Sequence, residues 1–144
     1  LERLMQAGPQ AELEHLLEDA FLTREQAKLV RCIKGKVFDV IVDLRPESPT
    51  FKKWQGFCLS EENMNELYVP EHFAHGYLVL EPSVVSYKCG EKFYGEYDDG
   101  IMYNDPDLGV EWPFDEIGGI ENLIIADKDK NLQTFKEYED KYLK

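Results

Sequence analysis

Cysteine is scarce in this sequence and offers no basis for cross-linking. The chain of 144 residues contains 3 cysteines, Cys32, Cys58 and Cys89. An odd number at wide spacing argues against a disulfide framework and against a zinc site, since both need grouped cysteines. We therefore expect each cysteine to be a reduced thiol in the core or on a strand.

Positive charge is also in short supply. Lysine and arginine number 16 against 29 aspartates and glutamates, which gives a net charge of −13. Such a chain repels nucleic acid, and no basic stripe offsets the repulsion, so nucleic acid is excluded as a partner. An anionic small molecule is not excluded, because a pocket needs only a few local cations. The arginines are Arg3, Arg24, Arg31 and Arg45.

Long apolar runs are absent as well. No stretch approaches the roughly 18 consecutive apolar residues of a membrane-spanning helix, and the N-terminal residues contain no apolar core of a signal peptide. We therefore expect a soluble, cytoplasmic protein without a membrane partner. Hydrophobic residues make up 43% of the chain and aromatic ones 12%, which is typical of a globular protein of one-domain size.

Helical periodicity is present at both ends of the chain. Near the N-terminus, apolar residues recur at the i, i+3, i+4, i+7, i+8 spacing of an amphipathic helix: Leu13, Leu16, Leu17, Ala20 and Phe21. We therefore predict a separate helical segment over residues 1–25. Toward the other end, Leu132 to Leu143 places Phe135, Tyr138 and Tyr142 at helical spacing among charges, which predicts a C-terminal amphipathic helix.

Between these segments the pattern is one of short strands separated by turn residues. The β-rich stretches are Lys28–Ile33, Val37–Leu44, Trp54–Leu59, Glu66–Val69, Phe73–Leu80 and Val84–Cys89. Short strands at this spacing predict an antiparallel sandwich or barrel. We assign it to a single domain over residues 26–144.

The strand from Val37 carries a carboxylate among apolar neighbours. Asp39 shares one face with Val37 and Ile41, so it is either partnered or functional, because burying an unpaired charge is costly. A tight turn at Lys34-Gly35 would pair Val30 with Asp39 and bring Lys28 onto the same face. The pair would then form a polar floor in an apolar cavity or, alternatively, an exposed ion pair on a solvated face.

Two histidines lie three residues apart in the stretch from Pro70 to Tyr77. On a strand, residues at that spacing face opposite sides, so His72 and His75 cannot share a metal ion there. We expect Glu71 and His72 to lie in a turn at the surface and His75 to enter the strand. His75 is either a pocket residue or a satisfied core residue.

Many stretches of the chain resemble one enzyme family, in order and nearly without gaps. They are Gln26–Arg31, Lys34–Arg45, Ser48–Trp54, Leu67–Leu80, Tyr87–Cys89, Gly100–Pro106, Trp112-Pro113 and Ala126–Asp129. On these stretches the chain resembles the dTDP-4-dehydrorhamnose 3,5-epimerases of dTDP-L-rhamnose biosynthesis. The resemblance covers about Gln26 to Asp129, and the preceding segment is divergent or truncated relative to the family.

The resemblance implies both a fold and a reaction. The fold is mainly β, a cupin-type jelly-roll barrel, to which the patterns above add the N-terminal and C-terminal helices, and the family members are homodimers. The reaction is an isomerisation that needs no metal and no organic cofactor. Protons at C3 and C5 of a dTDP-4-keto-6-deoxyhexose, both α to the C4 ketone, are removed through an enolate and returned on the opposite face.

Site residues follow from the resemblance position by position. Lys28 matches the lysine that stabilises the enolate, Asp39 matches an acidic residue lining the pocket, and His75 matches the second active-site histidine. Asp129 matches an aspartate that lies near the catalytic base. The residues matched to substrate binding are Tyr87, Phe93 and Tyr94.

Two positions depart from the family pattern. The catalytic base of the family lies in an Arg-Gly-Leu-His-Tyr-like strand before Lys28, which this sequence lacks. His15 lies thirteen residues before Lys28 in the helical pattern, and it is either a substitute base or an exposed helix residue. The catalytic tyrosine corresponds to Phe93, which keeps the ring but has no proton to give, so the neighbouring Tyr94 is the candidate acid.

These departures leave more than one function open. The first is the 3,5-epimerase itself or a relative acting on another nucleotide-linked keto sugar. The second is a catalytically impaired relative that binds a nucleotide sugar. A metal-dependent cupin is the third, and the missing His/Glu ligand set disfavours it.

Overall fold

The structure, a computed structural model, describes residues 2–6, 15–22, 27–89, 100–125, 130 and 132–143, and for residues 2–6, 15–22, 87 and 89 the backbone alone. The strands are β1 (Glu2–Gln6), β2 (His15–Leu22), β3 (Lys28–Asp43), β4 (Trp54–Ser60), β5 (Glu66–Val69), β6 (Phe73–Cys89) and β7 (Leu123–Ile125). Short 3₁₀ turns span Phe114–Ile117 and Ile120–Asn122. A helix, α1 (Phe135–Tyr138), continues as a π-helical turn over Glu139–Leu143.

Within the described residues the strands form one hydrogen-bonded sheet in the order β4–β3–β6–β2–β7, with β5 also on β3 and β1 also on β6. The two long strands β3 and β6 run antiparallel along their whole length, from Lys28 opposite Cys89 to Asp43 opposite Phe73. The prediction of a mainly β protein with a helix near the C-terminus is confirmed. None of the helices in the described part of the chain combines the length and apolar composition needed to cross a membrane.

The predicted N-terminal helix is wrong. Residues His15–Leu22 form strand β2, which pairs antiparallel with β6 and parallel with β7. The apolar spacing from Leu13 to Phe21 fits a helix, but the same leucines also suit a strand that lies between two others. Ladder pairing on both sides decides the outcome here, since tertiary context overrides a local periodicity.

The predicted hairpin at Lys34-Gly35 is also wrong. Strand β3 continues through this point, and its register against β6 shifts between Cys32 and Val37. Gly35 has φ +83°, and a Cβ there would collide with the Pro82 carbonyl oxygen. The local ladder is completed by a side chain, because the Lys36 N–H donates to Ser83 Oγ at 3.0 Å. The glycine therefore marks an irregularity inside one long strand, as in a β-bulge.

One face of the β3–β6 ladder packs on the C-terminal part of the chain. Val40 and Val42 on β3 and Leu78 on β6 belong to a cluster that includes Trp112 and Phe135. The buried Asp105 carboxylate holds this part together, since it accepts hydrogen bonds from the N–H groups of Asp107, Leu108 and Phe135. We call this apolar side of the ladder the covered face.

The opposite face of the ladder looks into a second cluster, which we call the interior cluster. Its buried members are Val30, Cys32, Val37, Ile41, Leu59, Leu67, Val69, Tyr77, Val79 and Val85, with Phe57 and Phe73 packed against them. On β3 the inward residues have even numbers before Gly35 and odd numbers after it. The irregularity at Gly35 therefore changes which alternate residues point inward, and this change determines the composition of the site.

Candidate active site

A histidine and an aspartate form a buried pair on the interior face. Nε2 of His75 lies 2.7 Å from Oδ1 of Asp39, and both side chains are 0% exposed. Strand register explains the contact: His75 lies opposite Ile41 and Asp39 opposite Tyr77, so the two residues are diagonal neighbours on one face. His75, expected from the sequence as either a pocket residue or a satisfied core residue, thus lies in the interior with a carboxylate partner.

Lysine 28 is directed toward the same interior. It begins β3 and alternates with Val30 and Cys32, which both belong to the interior cluster. Its side chain is only 7% exposed, so the alternative of an exposed ion pair is wrong. Asp39 comes eleven positions after Lys28, and in a regular strand that odd offset would put the two on opposite faces. The irregularity at Gly35 brings them to the same side.

Aromatic rings line the interior beside these polar groups. The Tyr77 ring lies 6.3 Å from the imidazole of His75, and its side chain is buried. Phe57 on β4 pairs with Asp39, and Phe73 precedes His75 on the same face of β6. Tyr77 was not singled out from the sequence, although the period-two alternation from His75 was the signal that could have identified it.

A second buried carboxylate ends the interior row. Asp43 accepts hydrogen bonds from the Arg45 side chain (Nε and Nη2, both 2.9 Å) and from the hydroxyls of Ser48 and Thr50. Burial alone would raise the pKa of the Asp43 carboxyl, but these hydrogen bonds outweigh it and hold the pKa well below its usual range. The Arg45 guanidinium also lies 5.0 Å above the Phe73 ring.

The backbone is described for three of the remaining residues proposed from the sequence: His72, His15 and Tyr87. His72 is exposed in the turn before β6, as expected, and has φ +66°. His15 begins strand β2 opposite Leu123 rather than lying in a helix. Tyr87 lies opposite Val30 in the ladder. Outside the described residues, or with side chains outside them, are His15, Tyr87, Cys89, Phe93, Tyr94 and Asp129.

Two of the three cysteines have described side chains. Cys32 and Cys58 are free thiols, as expected, and burial raises the pKa of Cys32. Among the described side chains, no three of the types His, Cys, Asp and Glu are grouped so that they could hold a metal ion. A buried ammonium and a buried histidine–aspartate pair are groups of the kind that polarise a carbonyl and hold a proton.

Comparison with known proteins gives consistent matches. A family profile described as dTDP-4-dehydrorhamnose 3,5-epimerase matches residues 20–137. The enzyme of that name from Methanothermobacter thermautotrophicus is 43% identical over 138 residues, which cover 94% of this chain and 73% of the relative. The Shigella flexneri enzyme is 44% identical over 111 residues, or 76% of this chain and 58% of the relative.

A solved structure matches in three dimensions. The Legionella pneumophila dTDP-6-deoxy-D-glucose-3,5-epimerase, in complex with dTDP-4-keto-L-rhamnose, superposes with a TM-score of 0.76 at 33% identity, covering 94% of this chain and 68% of that one. The match to this chain covers 58% of the length of the Shigella relative and 73% of the length of the Methanothermobacter relative. The expected cupin-type jelly-roll fold is confirmed by these neighbours. The chain belongs to the dTDP-4-dehydrorhamnose 3,5-epimerase family.

Proposed function

We propose that this chain epimerises C3 and C5 of a dTDP-linked 4-keto-6-deoxyhexose, and that the interior of the barrel is where it does so. The observation that carries the proposal is the burial of Lys28, Asp39 and His75 on one interior face of a chain of this family. Charged side chains are almost never fully buried unless they are paired. Their presence here, against an apolar wall, fits a site built for proton transfer.

The reaction defines what the site must provide. The hydrogens at C3 and C5 are acidic only because the C4 ketone can accept the electrons as an enolate. A cation or hydrogen-bond donor at the C4 oxygen stabilises that charge, and Lys28 is a buried cation on the interior face. Its ammonium acts on both half-reactions, because C3 and C5 flank the same carbonyl.

Proton transfer is assigned to the histidine–aspartate pair. A carboxylate bonded to one ring nitrogen fixes the tautomer of an imidazole and stabilises its protonated form. Asp39 lies 2.7 Å from Nε2 of His75, so the carboxylate is in position to orient the imidazole and to stabilise the charge it gains on taking up a proton. The apolar side chains around the pair exclude water and strengthen the interactions within the site.

Epimerisation needs a base on one face of the sugar and an acid on the other, and further candidates for these two roles come from the sequence. His15 is the candidate base, with Asp129 near it, and Tyr94 beside Phe93 is the candidate acid. Tyr87, Phe93 and Tyr94 are the candidates for contact with the thymine ring. Replacing Phe93 with tyrosine should increase turnover if the position is that of the acid, and an unchanged rate would count against this assignment.

The decisive experiment is solvent exchange. Incubation of dTDP-4-keto-6-deoxyglucose with the protein in D₂O should introduce deuterium at C3 and C5, detected by NMR or mass spectrometry. A control without protein sets the background rate. Retained dTDP binding without exchange would instead identify the chain as the catalytically impaired, nucleotide-sugar-binding relative.

A homodimer in the cytoplasm completes the proposal. Ile33 on β3 and Tyr68 on β5 are exposed apolar residues on the outer side of the sheet, and burying them in a subunit contact would favour association. The free thiols of Cys32 and Cys58 suit a reducing compartment. Sedimentation velocity should give twice the chain mass of 16.8 kDa, and a lower value for Tyr68→Glu. A monomer at micromolar concentration would contradict the dimer.

A further inference from the structure

His75 has two carboxylates as neighbours in the ladder, not one. Because His75 lies opposite Ile41, the residues on either side of Ile41 on the same face are Asp39 and Asp43. In an antiparallel pair both diagonal neighbours are about 7–8 Å away, within reach of long side chains. The register therefore does not by itself choose between the two aspartates.

The hydrogen bonds of Asp43 explain why His75 pairs with Asp39. Asp43 is 1% exposed and already accepts hydrogen bonds from the backbone N–H and side chain of Arg45 and from the hydroxyls of Ser48 and Thr50. The pairing of His75 is with Asp39, at 2.7 Å. An aspartate that keeps its own donors has little capacity left to attract an imidazole.

We propose that Arg45, together with Ser48 and Thr50, sequesters Asp43 so that Asp39, rather than Asp43, pairs with His75, which makes Arg45 a positioning residue for the histidine. The Arg45 guanidinium donates to both carboxylate oxygens of Asp43 and lies 5.0 Å from the centre of the Phe73 ring, which packs against the interior cluster. We call Arg45, Ser48 and Thr50 the clamp. Arginine suits this task because its planar fork binds a carboxylate through two hydrogen bonds and stacks on an aromatic ring.

The surroundings of His75 support this arrangement. Along β3 the acidic groups on its face are Asp39 and Asp43, and along β6 its neighbours on that face are Phe73 and Tyr77. On its other side, in the register of β2, it lies opposite Leu22. Lys28 faces the same interior. Without the clamp, Asp43 would be a second buried carboxylate close to the imidazole. The histidine would then exchange between pairing with Asp39 and pairing with Asp43.

The test combines two substitutions with a spectroscopic measurement. In protein with ¹⁵N-labelled histidine, NMR should show one downfield ring proton for His75, bound to Asp39. Arg45→Met should shift or split this signal, and Asp43→Asn in the same chain should restore it, because the competing charge is then gone. Arg31→Met, an exposed arginine on the outer side of β3, serves as the matched control and should leave the signal unchanged.

The catalytic consequence rests on the proposed function. Deuterium exchange should fall roughly tenfold in Arg45→Met, less than the 10²–10⁴-fold cost of removing an acid–base group outright, and should recover in the double variant. A merely structural clamp would not be rescued by Asp43→Asn, since both variants lack the salt bridge. Should Arg45→Met fail to fold, Ser48→Ala with Thr50→Val removes two donors and should move the signal in the same direction.

The outcomes separate the two proposals. A His75 signal unchanged by Arg45→Met, or altered and not restored by Asp43→Asn, overturns the positioning role. Wild-type protein that shows the Asp39-bound signal but exchanges no deuterium overturns the proposed function and leaves the positioning role standing.

Discussion

The two faces of the β3–β6 ladder are equally buried but differ in composition. On the covered face, Val40, Val42 and Leu78 belong to an apolar cluster with Trp112 and Phe135, and the buried Asp105 carboxylate beside it accepts hydrogen bonds from three backbone N–H groups. On the interior face, the same strands place Asp39, Asp43 and His75 among valines and aromatic rings. Both faces contribute hydrophobic burial, whereas the buried charged side chains that the structure describes on this ladder lie on the interior face. The proposed function therefore places the chemistry on one side of the sheet, opposite a side that contributes stability.

The largest effect should come from the buried lysine on the interior face. Lys28→Met keeps the apolar stem and removes the cation, so exchange at C3 and C5 should fall about 10²–10³-fold, the usual cost of losing one donor to a developing oxyanion. Lys88→Met, on the exposed outer side of β6, is the matched control and should retain wild-type exchange. If Lys28→Met instead lost most of its thermal stability, the lysine would be structural and the contrast between the faces would fail.

A truncation on the covered face should act on stability alone. Leu78 is fully buried, and Leu78→Ala should lower the free energy of unfolding by about 2–5 kcal/mol, because it removes apolar contacts and leaves a cavity. Urea unfolding measures the loss. The folded fraction should bind dTDP with wild-type affinity, so a large change in affinity would mean that the covered face also shapes the site.

The irregularity in β3 can be tested with two glycines. Gly35→Ala should cost about 1–3 kcal/mol from the left-handed backbone alone, with a further cost from the collision with Pro82, and should reduce exchange by displacing Lys28. Gly109 also has positive φ (+60°), but an added Cβ there meets nothing closer than the Pro106 carbonyl oxygen at 3.9 Å. Gly109→Ala should therefore be less destabilised and keep wild-type exchange relative to its folded fraction.

Equal destabilisation of the two alanine variants, with exchange retained in both, would contradict the role given to Gly35. It would mean that the even-to-odd change of the inward residues on β3 does not depend on the glycine.

The smallest effect concerns acid stability. The hydrogen bonds to Asp43 outweigh its burial and depress its pKa in the folded chain, so its contribution to stability is present above the unfolded-state value of about 3.9 and is lost as pH falls through the folded-state pKa. The difference in unfolding free energy between wild type and Asp43→Asn should be largest near neutral pH and shrink below pH ~4. A difference independent of pH would show that Asp43 contributes through packing instead.

The sequence predicts the central strands β3 to β6, whose turns are marked by ordinary turn residues, but not β1, β2 or β7. Strands β4 and β5 match the predicted stretches to within one residue, and β3 and β6 each join two predicted stretches. The joins occur at Gly35 and around Pro82, residues that usually end strands. Whether such a residue ends a strand or bends it depends on the neighbouring strand, which local patterns do not contain.

The site was predicted from the alternation of side chains between the two faces of a strand. The prediction failed at the irregularity in β3, where this alternation is interrupted. The alternation of Val37, Asp39 and Ile41 correctly placed the aspartate on an apolar face. The position of Lys28 was reached through a hairpin that does not form, and the irregularity in β3 produces the shared face instead. The partnership of Asp43 with Arg45 carries no local signal beyond proximity, since a surface ion pair has the same spacing.

A crystal structure with a dTDP-linked 4-keto-6-deoxy sugar bound is the most direct test of the interior site. The sugar ring should lie between Lys28 and the His75–Asp39 pair, with the oxygen at C4 within hydrogen-bond distance of the Lys28 ammonium. A sugar seated elsewhere, with those three side chains enclosed in protein and out of its reach, would contradict the assignment of chemistry to this face of the sheet.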